Sequence, residues 1–461
     1  MESSSKLLGQ QQFNDKGSLQ AQEWTELDQL FDKLFPICRS ITGPGLRETI
    51  SIMSEQIPLE MFSVPTGTQL FDWQVPKEWI IRGGWLKGPD GEVVADFDVS
   101  NLHIVNYSTP VNLQLSLAEL DNHLFSIPHL PDAVPYVTSY YKERWGFCIP
   151  HSAREKLREG EYHAFIDSEH IEGELNYAHA ILPGEINQEV LISSYICHPS
   201  MANNELSGPL VALQLYKRLA RWKHRRFTYR FVFVPETIGS IAYLHRHGKE
   251  LKERLYAGLV LTCLGGNMPL SYKQSRSGLN PIDAIWKQLT SHEAIKGKTR
   301  PFTPAFGSDE RQYCSPGFNL PVGQMARNVY GTFAGYHNSL DTKEAMTIDA
   351  LQQSLDELEL LLQILEADGY YVNRYPFGEV KLDKHGLYPD VNSPATRSNL
   401  NAKQQLHLIL TVLNYADGEH SLTDIANQCG CGINVLLPIV DTLKEKGIIE
   451  GPYPERGAGV F

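Results

Sequence analysis

A chain of 461 residues exceeds one average domain and has room for two or three. Its 42% apolar content supports a packed core and excludes general disorder. A net charge of -13 argues against nonspecific binding to nucleic acid or to an anionic membrane, since both need a basic face.

No run of about 18 apolar residues exists, so no transmembrane helix is expected. The first residues, Met1 to Phe13, lack a charged segment followed by an apolar one, so the expectation is no signal peptide and a cytoplasmic protein. The seven cysteines are scattered and read as free thiols.

Residues 1 to about 20 are polar and expected to fray. Leu27, Leu30, Phe31, Leu34 and Phe35 form a helical stripe closed by Pro36, and a tight turn follows over Cys38–Gly45. A second helix is predicted from Leu46 to about Gln56. From Leu59 to Val137 short alternating runs are broken by turns such as Gly88-Pro-Asp-Gly91. They predict a small β-rich unit inserted into a larger domain, with its tryptophans read as core.

Strand and helix patterns then alternate. Strand 189–196 precedes helix 208–220, strand 229–234 precedes helix 239–248, and strand 257–262 precedes helix 281–289. A short strand is expected at 322–325 and a long leucine-rich helix from Ile348 to Leu365. The alternation predicts an α/β fold, a mixed and mostly parallel sheet flanked by helices. Residues 367–398 read as a linker. Beyond it, helical stripes at 406–413, behind a Ser421 cap, and at 435–443 precede a β-wing near Lys446–Glu450. This is the pattern of a winged helix-turn-helix domain. From Asn401 to Phe461 four basic residues face seven acidic ones, a net charge of -3. That argues against DNA and for protein contact, including a second copy of the chain in a homo-oligomer. The expected domains are 21–58 with 138–385, the insert 59–137, and 395–461.

Four polar clusters stand where strands are expected to end. They contain His198 with Asn203, Asn204 and Glu205; Glu236; Ser308-Asp309 with Arg311 and Tyr313; and His337 with Asp341. Ligands gather at such edges in α/β folds. The set suits a metal hydrolase: zinc takes His nitrogen and carboxylate oxygen and keeps a position open for water. His198 and His337 are candidate ligands, Glu236 the candidate general base, and Asp341 a candidate to orient an imidazole. Arg311 and Tyr313 are candidates to hold a substrate carboxylate or stabilise an oxyanion. Arg39, His103 and Tyr140 are weaker candidates to reach the site. Cys197 should point to the core, since strand neighbours face opposite ways.

The order and spacing of His198, Ser207-Gly208, Glu236 with Gly239, Ser308-Asp309, Tyr336-His337 and Asp341-Thr342 resemble the M28 family of zinc aminopeptidases, over about residues 180–365. The whole layout is similar to bacterial aminopeptidase-like proteins that join such a domain to a β-rich insert and a winged helix. Their most specific stretches here are Cys197–Gly208 and Ser308–Tyr313. The resemblance implies hydrolysis of a peptide or aminoacyl amide by metal-activated water, with Glu236 as base and Asp309 or Glu310 holding the substrate amine. It also implies a setting in polysaccharide or specialised-metabolite biosynthesis. Asn204, Thr237 and Thr262 stand where the family places metal-binding carboxylates. A neutral amide and two hydroxyls are poor zinc ligands, so one Zn2+ per chain is expected rather than two. Its third ligand would be Glu205 or Asp309, and Glu236 could itself serve as ligand. The alternatives are a same-fold amide hydrolase or transferase and a non-catalytic winged-helix binding protein.

Overall fold

The computed structural model describes residues 22–388 and 401–457. The N-terminal stretch expected to fray, the end of the expected linker and the last four residues lie outside it. The chain forms two compact units: Met1–Gly278 with Arg300–Asp356, and Leu279–Thr299 with Glu357–Phe461. No helix among the described residues is long and apolar enough to cross a membrane.

The first unit is built on a mixed sheet. Its strands are β1 (Glu60–Pro65), β2 (Glu174–Leu182), β3 (Glu189–Tyr195), β4 (Thr228–Val234), β5 (Leu255–Leu261), β6 (Leu270–Lys273) and β7 (Val322–Ala326). They run in the order β1-β2-β4-β3-β5-β7-β6. The central pairings β3/β4, β3/β5 and β5/β7 are parallel, while β1/β2, β2/β4 and β6/β7 are antiparallel. Every residue of β3 is buried, as a central strand covered on both faces requires. Helix α1 (Ser207–Ala220) follows β3, and α2 (Ile238–Arg254) follows β4.

A second, antiparallel sheet in this unit runs Val93–Asp96, Glu78–Lys87, Glu161–Ile171, Val111–Ser116. It encloses its own core of Leu86, Ile104, Phe147, Tyr162 and Ile166. The insert's expected limits, 59–137, are therefore corrected at both ends. Strand β1 joins the main sheet along β2. Glu161–Ile171, expected in the α/β domain, pairs with both Glu78–Lys87 and Val111–Ser116. Its Tyr162, Ala164, Ile166 and Ser168 are buried while the residues between them are not, the period of a sheet covered on one face. Trp79 is core, stacked on Tyr107, whereas Trp73 is 36% exposed.

In the second unit the helices Ala402–Tyr415, Leu422–Cys429 and Ile433–Glu445 pack beside a small sheet. Ser421 caps the middle helix as expected, in a reciprocal capping box with Asp424. The central strand of that sheet is Tyr370–Asn373, between Asp417–Ser421 and Ile449–Tyr453. Residues 370–373 lie in the expected linker; four residues are too few for their alternation to register as a strand. Helix Pro281–Ser291, expected in the α/β domain, belongs here, and Gln288 hydrogen-bonds Asn427 at 2.9 Å.

Candidate functional site

Strand β3 ends at Tyr195 and delivers His198 to the carboxyl edge of the sheet. A single π-turn, Ala202–Leu206, then leads into α1. Such a turn leaves backbone N–H groups to satisfy, and the loop after His337 meets them. The Asp341 carboxylate accepts from Asn203 N and Asn204 N, at 2.8 Å each, and its carbonyl accepts from Ala202 N at 3.1 Å. Held this way, the turn presents Glu205 to His198: Glu205 Oε2 lies 2.8 Å from His198 Nδ1. The role expected of Asp341, orienting an imidazole, thus belongs to Glu205, and Asp341 instead caps the turn that carries Glu205.

The Nδ1 side of His198 is closed. Arg39, fully buried, donates Nε to the His198 carbonyl at 2.8 Å and lies 3.7 Å from Glu205 Oε1. Cys197 Sγ is 3.6 Å from Nδ1 and also accepts from Glu236 N at 3.2 Å. Burial opposes a charged His198, but Cys197 and Glu205 beside it outweigh that and hold its pKa well above the ordinary histidine value.

The Nε2 side faces Glu236, whose Oε2 lies 3.7 Å away and whose side chain is 27% exposed. Glu236 sits just past β4, and its Oε1 accepts from Ser308 Oγ at 2.7 Å. The His337 ring lies 5.2 Å from the His198 ring and stacks on Tyr336 at 4.0 Å. His337 has a φ of 57°, a left-handed conformation uncommon for a side chain with Cβ, and the kind of strain that gathers at functional sites. Its carbonyl accepts from Tyr136 N at 2.8 Å, and the Tyr136 ring lies 5.2 Å from His198 and 5.5 Å from His337. Burial and the neighbouring His198 push the His337 pKa down to about 3, which keeps its imidazole neutral and able to donate a lone pair.

Asp309 is fully buried. Its Oδ1 accepts from Thr237 N at 2.7 Å and Ser240 Oγ at 2.8 Å, while Oδ2 takes no partner. Burial, then the Glu236 charge, raise its pKa.

One donor set among the described residues is already gathered, and a second stands around the other ring nitrogen of His198 with its members further apart. Cys197, His198 and Glu205 offer atoms within 4.8 Å of one another. That set uses Nδ1, already engaged by Glu205, and has the Arg39 guanidinium against it, so a dication there would meet a fixed positive charge. On the other side stand Glu236, with Oε2 3.7 Å from His198 Nε2, and His337, its ring 5.2 Å from that of His198. Two imidazoles and carboxylate oxygen are a zinc donor set, and Glu205 on Nδ1 is the second partner that a metal-bound histidine needs. We therefore favour the Nε2 side. Glu205, expected as a ligand, stands on Nδ1 and belongs to the gathered Cys197–His198–Glu205 group, and on the Nε2 side it would orient the ring instead.

The three positions that the family resemblance assigns to further carboxylates, Asn204, Thr237 and Thr262, carry neutral groups. The Tyr195 hydroxyl is 2.6 Å from both the Asn204 carbonyl and Thr262 Oγ1, and Thr237 is a backbone turn at φ 65°. Tyr313, expected at the reaction centre, is instead fully buried, with its hydroxyl 3.0 Å from Ser193 Oγ. Glu310 is likewise buried and bound to Lys273 at 2.7 Å, so it is not free to hold a substrate amine. Arg311 is half-buried, with Nε donating to the Ser308 carbonyl at 3.1 Å. Arg39 reaches the site, Tyr140 reaches it only through a 2.6 Å bond to the Tyr136 hydroxyl, and His103 is tied to the Cys148 carbonyl. Sequence reasoning missed the roles of Tyr136, Tyr195 and Ser308. Tyr195 stands three residues before His198 in the same strand exit, which was the available signal.

An α/β sheet of this order, with His198, Glu236 and His337 on one edge, has the aminopeptidase-like fold. The B. subtilis zinc aminopeptidase superposes with a TM-score of 0.54 at 13% identity, covering 75% of this chain and 94% of that one. The chain belongs to the family described as a domain of unknown function (DUF4910), whose model matches residues 28–368; a winged helix-turn-helix model matches 369–451. A protein of Clostridium acetobutylicum described as a "putative polysaccharide biosynthesis protein with aminopeptidase-like domain" is 40% identical over 405 residues, 88% of this chain and 91% of that one. The crystal structure of a "putative peptidase" from the same organism has a TM-score of 0.86 at 37% identity and covers 95% of this chain and 99% of that one.

Proposed function

We propose that the protein is a single-zinc hydrolase of an amide bond in a small peptide or aminoacyl substrate. The observation that carries this reading is the division of labour around His198: Nδ1 is held by Glu205 at 2.8 Å, and Nε2 faces Glu236 Oε2 at 3.7 Å. His198, His337 and Asp309 would hold the ion, which leaves Glu236 as the base. When bound, zinc polarises the amide carbonyl and lowers the pKa of water towards neutrality.

The chain's own residues do the remaining work. Glu236 accepts a proton from the attacking water at Oε2, and Ser308 Oγ holds Oε1 so that the free oxygen stays aimed. The proton then passes from Glu236 to the leaving nitrogen as the C–N bond breaks. Tyr136 and Tyr195 wall the imidazole and exclude water from His198. We read the reaction as cytoplasmic, and the acidic winged unit as a surface for protein contact, a second copy included, rather than for DNA.

The test is metal content against turnover. The full chain should carry about one zinc, lose amide hydrolysis on chelation and regain it with zinc alone. Zinc well below one per chain, with hydrolysis indifferent to chelator, would sink the proposal.

A further inference from the structure

Three charged residues in a row, Asp309-Glu310-Arg311, border the site, and they do not share one fate. Asp309 turns one oxygen to the start of α2. Glu310 is turned inward and saturated: it accepts from Lys273 Nζ at 2.7 Å, Gln324 Nε2 at 3.1 Å and Ser308 N at 3.0 Å. Arg311 is the exception. Its Nε is anchored on the Ser308 carbonyl at 3.1 Å, and its terminal nitrogens meet no carboxylate and no other acceptor among the described residues. In a chain of net charge -13, a half-buried guanidinium beside two carboxylates, yet paired with neither, has been left for something else.

Its place fixes what that is. Ser308 links the guanidinium to the base, for its hydroxyl donates to Glu236 Oε1 at 2.7 Å while its carbonyl receives Arg311 Nε. Glu236 Oε2 in turn lies 3.7 Å from His198 Nε2, and the His337 ring 5.2 Å from the His198 ring. Arg311 therefore stands on the same rim as Glu236 and His337. The groups that would hold a free substrate amine are meanwhile weakened: Glu310 is consumed, and Asp309 keeps only one oxygen unengaged.

We infer that the substrate is an amide whose leaving amine carries a carboxylate, held end-on by the two terminal nitrogens of Arg311. N-acylated amino acids and short peptides ending in a free carboxylate are the classes that satisfy this. Two parallel N–H donors match a carboxylate in plane and charge. This rests on the proposed hydrolase reading. Water adds to the carbonyl carbon, the C–N bond breaks, its proton reaches nitrogen through Glu236, and the products are a carboxylate and a free amine, an amino acid or short peptide, that bears its own carboxylate.

The test uses the zinc-loaded full chain and two acid–amide pairs of probes, leucylglycine with leucylglycinamide and N-acetylglycine with N-acetylglycinamide, which differ within each pair only at the leaving amine's carboxylate. Binding is measured by calorimetry on Glu236→Gln, so that no probe is consumed. The acids should bind about tenfold or more tighter than the matching amides. Arg311→Met in that background should erase the difference, and Arg311→Lys should keep part of it. Equal binding of acids and amides, no binding of any probe, or a preference that survives Arg311→Met would overturn the inference. With Glu236 intact, a loss on Arg311→Met that falls equally on the kcat of acid and amide, with KM unchanged, would overturn it too, in favour of oxyanion stabilisation. The hydrolase reading fails separately: acids bound in preference but never cleaved by the unaltered chain would leave a carboxylate site without that reaction.

Discussion

Strand β3 begins and ends in polar groups, and the two ends are finished in opposite ways. At its start the Glu189 carboxylate receives Arg230 Nε at 2.5 Å and Nη2 at 2.9 Å, and Arg230 also donates to the Tyr243 hydroxyl at 3.1 Å. Both partners are nearly buried and fully engaged. At its end, buried polar atoms stand without a hydrogen-bond partner: Glu205 Oε1, Asn203 Nδ2, Asn204 Nδ2 and, across the edge, Asp309 Oδ2. Buried polar groups are normally satisfied, and each exception has a cost of about 1–3 kcal/mol. The fold is held at one edge of the sheet and kept chemically open at the other.

The comparison can be broken from either end. The largest effect is expected at the open edge: Glu236→Gln should lower amide turnover by about 10³-fold while leaving thermal stability near that of the parent, measured by steady-state rates and calorimetric melting. A comparable loss of stability would move Glu236 into the structural class. At the closed edge, Arg230→Met strands Glu189 in a dry environment and should cost about 3–5 kcal/mol in chemical denaturation. Zinc stoichiometry of the folded fraction should not change; if it does, the two edges are not independent.

A smaller effect separates orientation from ligation. Glu205→Gln should weaken zinc binding by about 10–100-fold in competition with a chelator, the range for a lost orienting partner. Complete loss of zinc would restore Glu205 as a direct ligand. The smallest effect is on acid stability. His337 has a folded pKa pushed down from 6.5 to about 3 by burial and by His198, so the folded metal-free chain binds fewer protons there than the unfolded one. That contribution is present above pH 6.5 and is lost as pH falls towards 3. The metal-free parent should therefore lose stability faster than His337→Gln between those values, and equal slopes would show that the ring is not buried as described.

Much of this edge was legible in the chain itself. An apolar run followed by His198, and another followed by Glu236, mark strands that end in chemistry, because side-chain period and burial are written directly in sequence. What could not be read is which carboxylate meets which nitrogen. Glu205 and Asp341 are both acids near a histidine in sequence, and only the π-turn at Ala202–Leu206 decides that the first meets the imidazole and the second the backbone. Tyr313 failed for a related reason: the helix Glu310–Tyr313 is one turn long, and that turn swings its ring into the core while Arg311 stays at the rim. The strand Glu161–Ile171 had the alternation of a one-sided sheet, but its partners lie about fifty to eighty residues earlier, and pairing at that distance leaves no local trace.

The central claim is that a single metal sits on the Nε2 side of His198, with Glu205 behind it. A zinc-soaked crystal of the full chain, read by anomalous scattering at the zinc edge, tests this most directly. The account predicts one peak about 2.0–2.1 Å from His198 Nε2 and from a ring nitrogen of His337, with Glu205 still on Nδ1. A peak between Cys197 and Glu205, or two peaks within about 4 Å of each other, would contradict it.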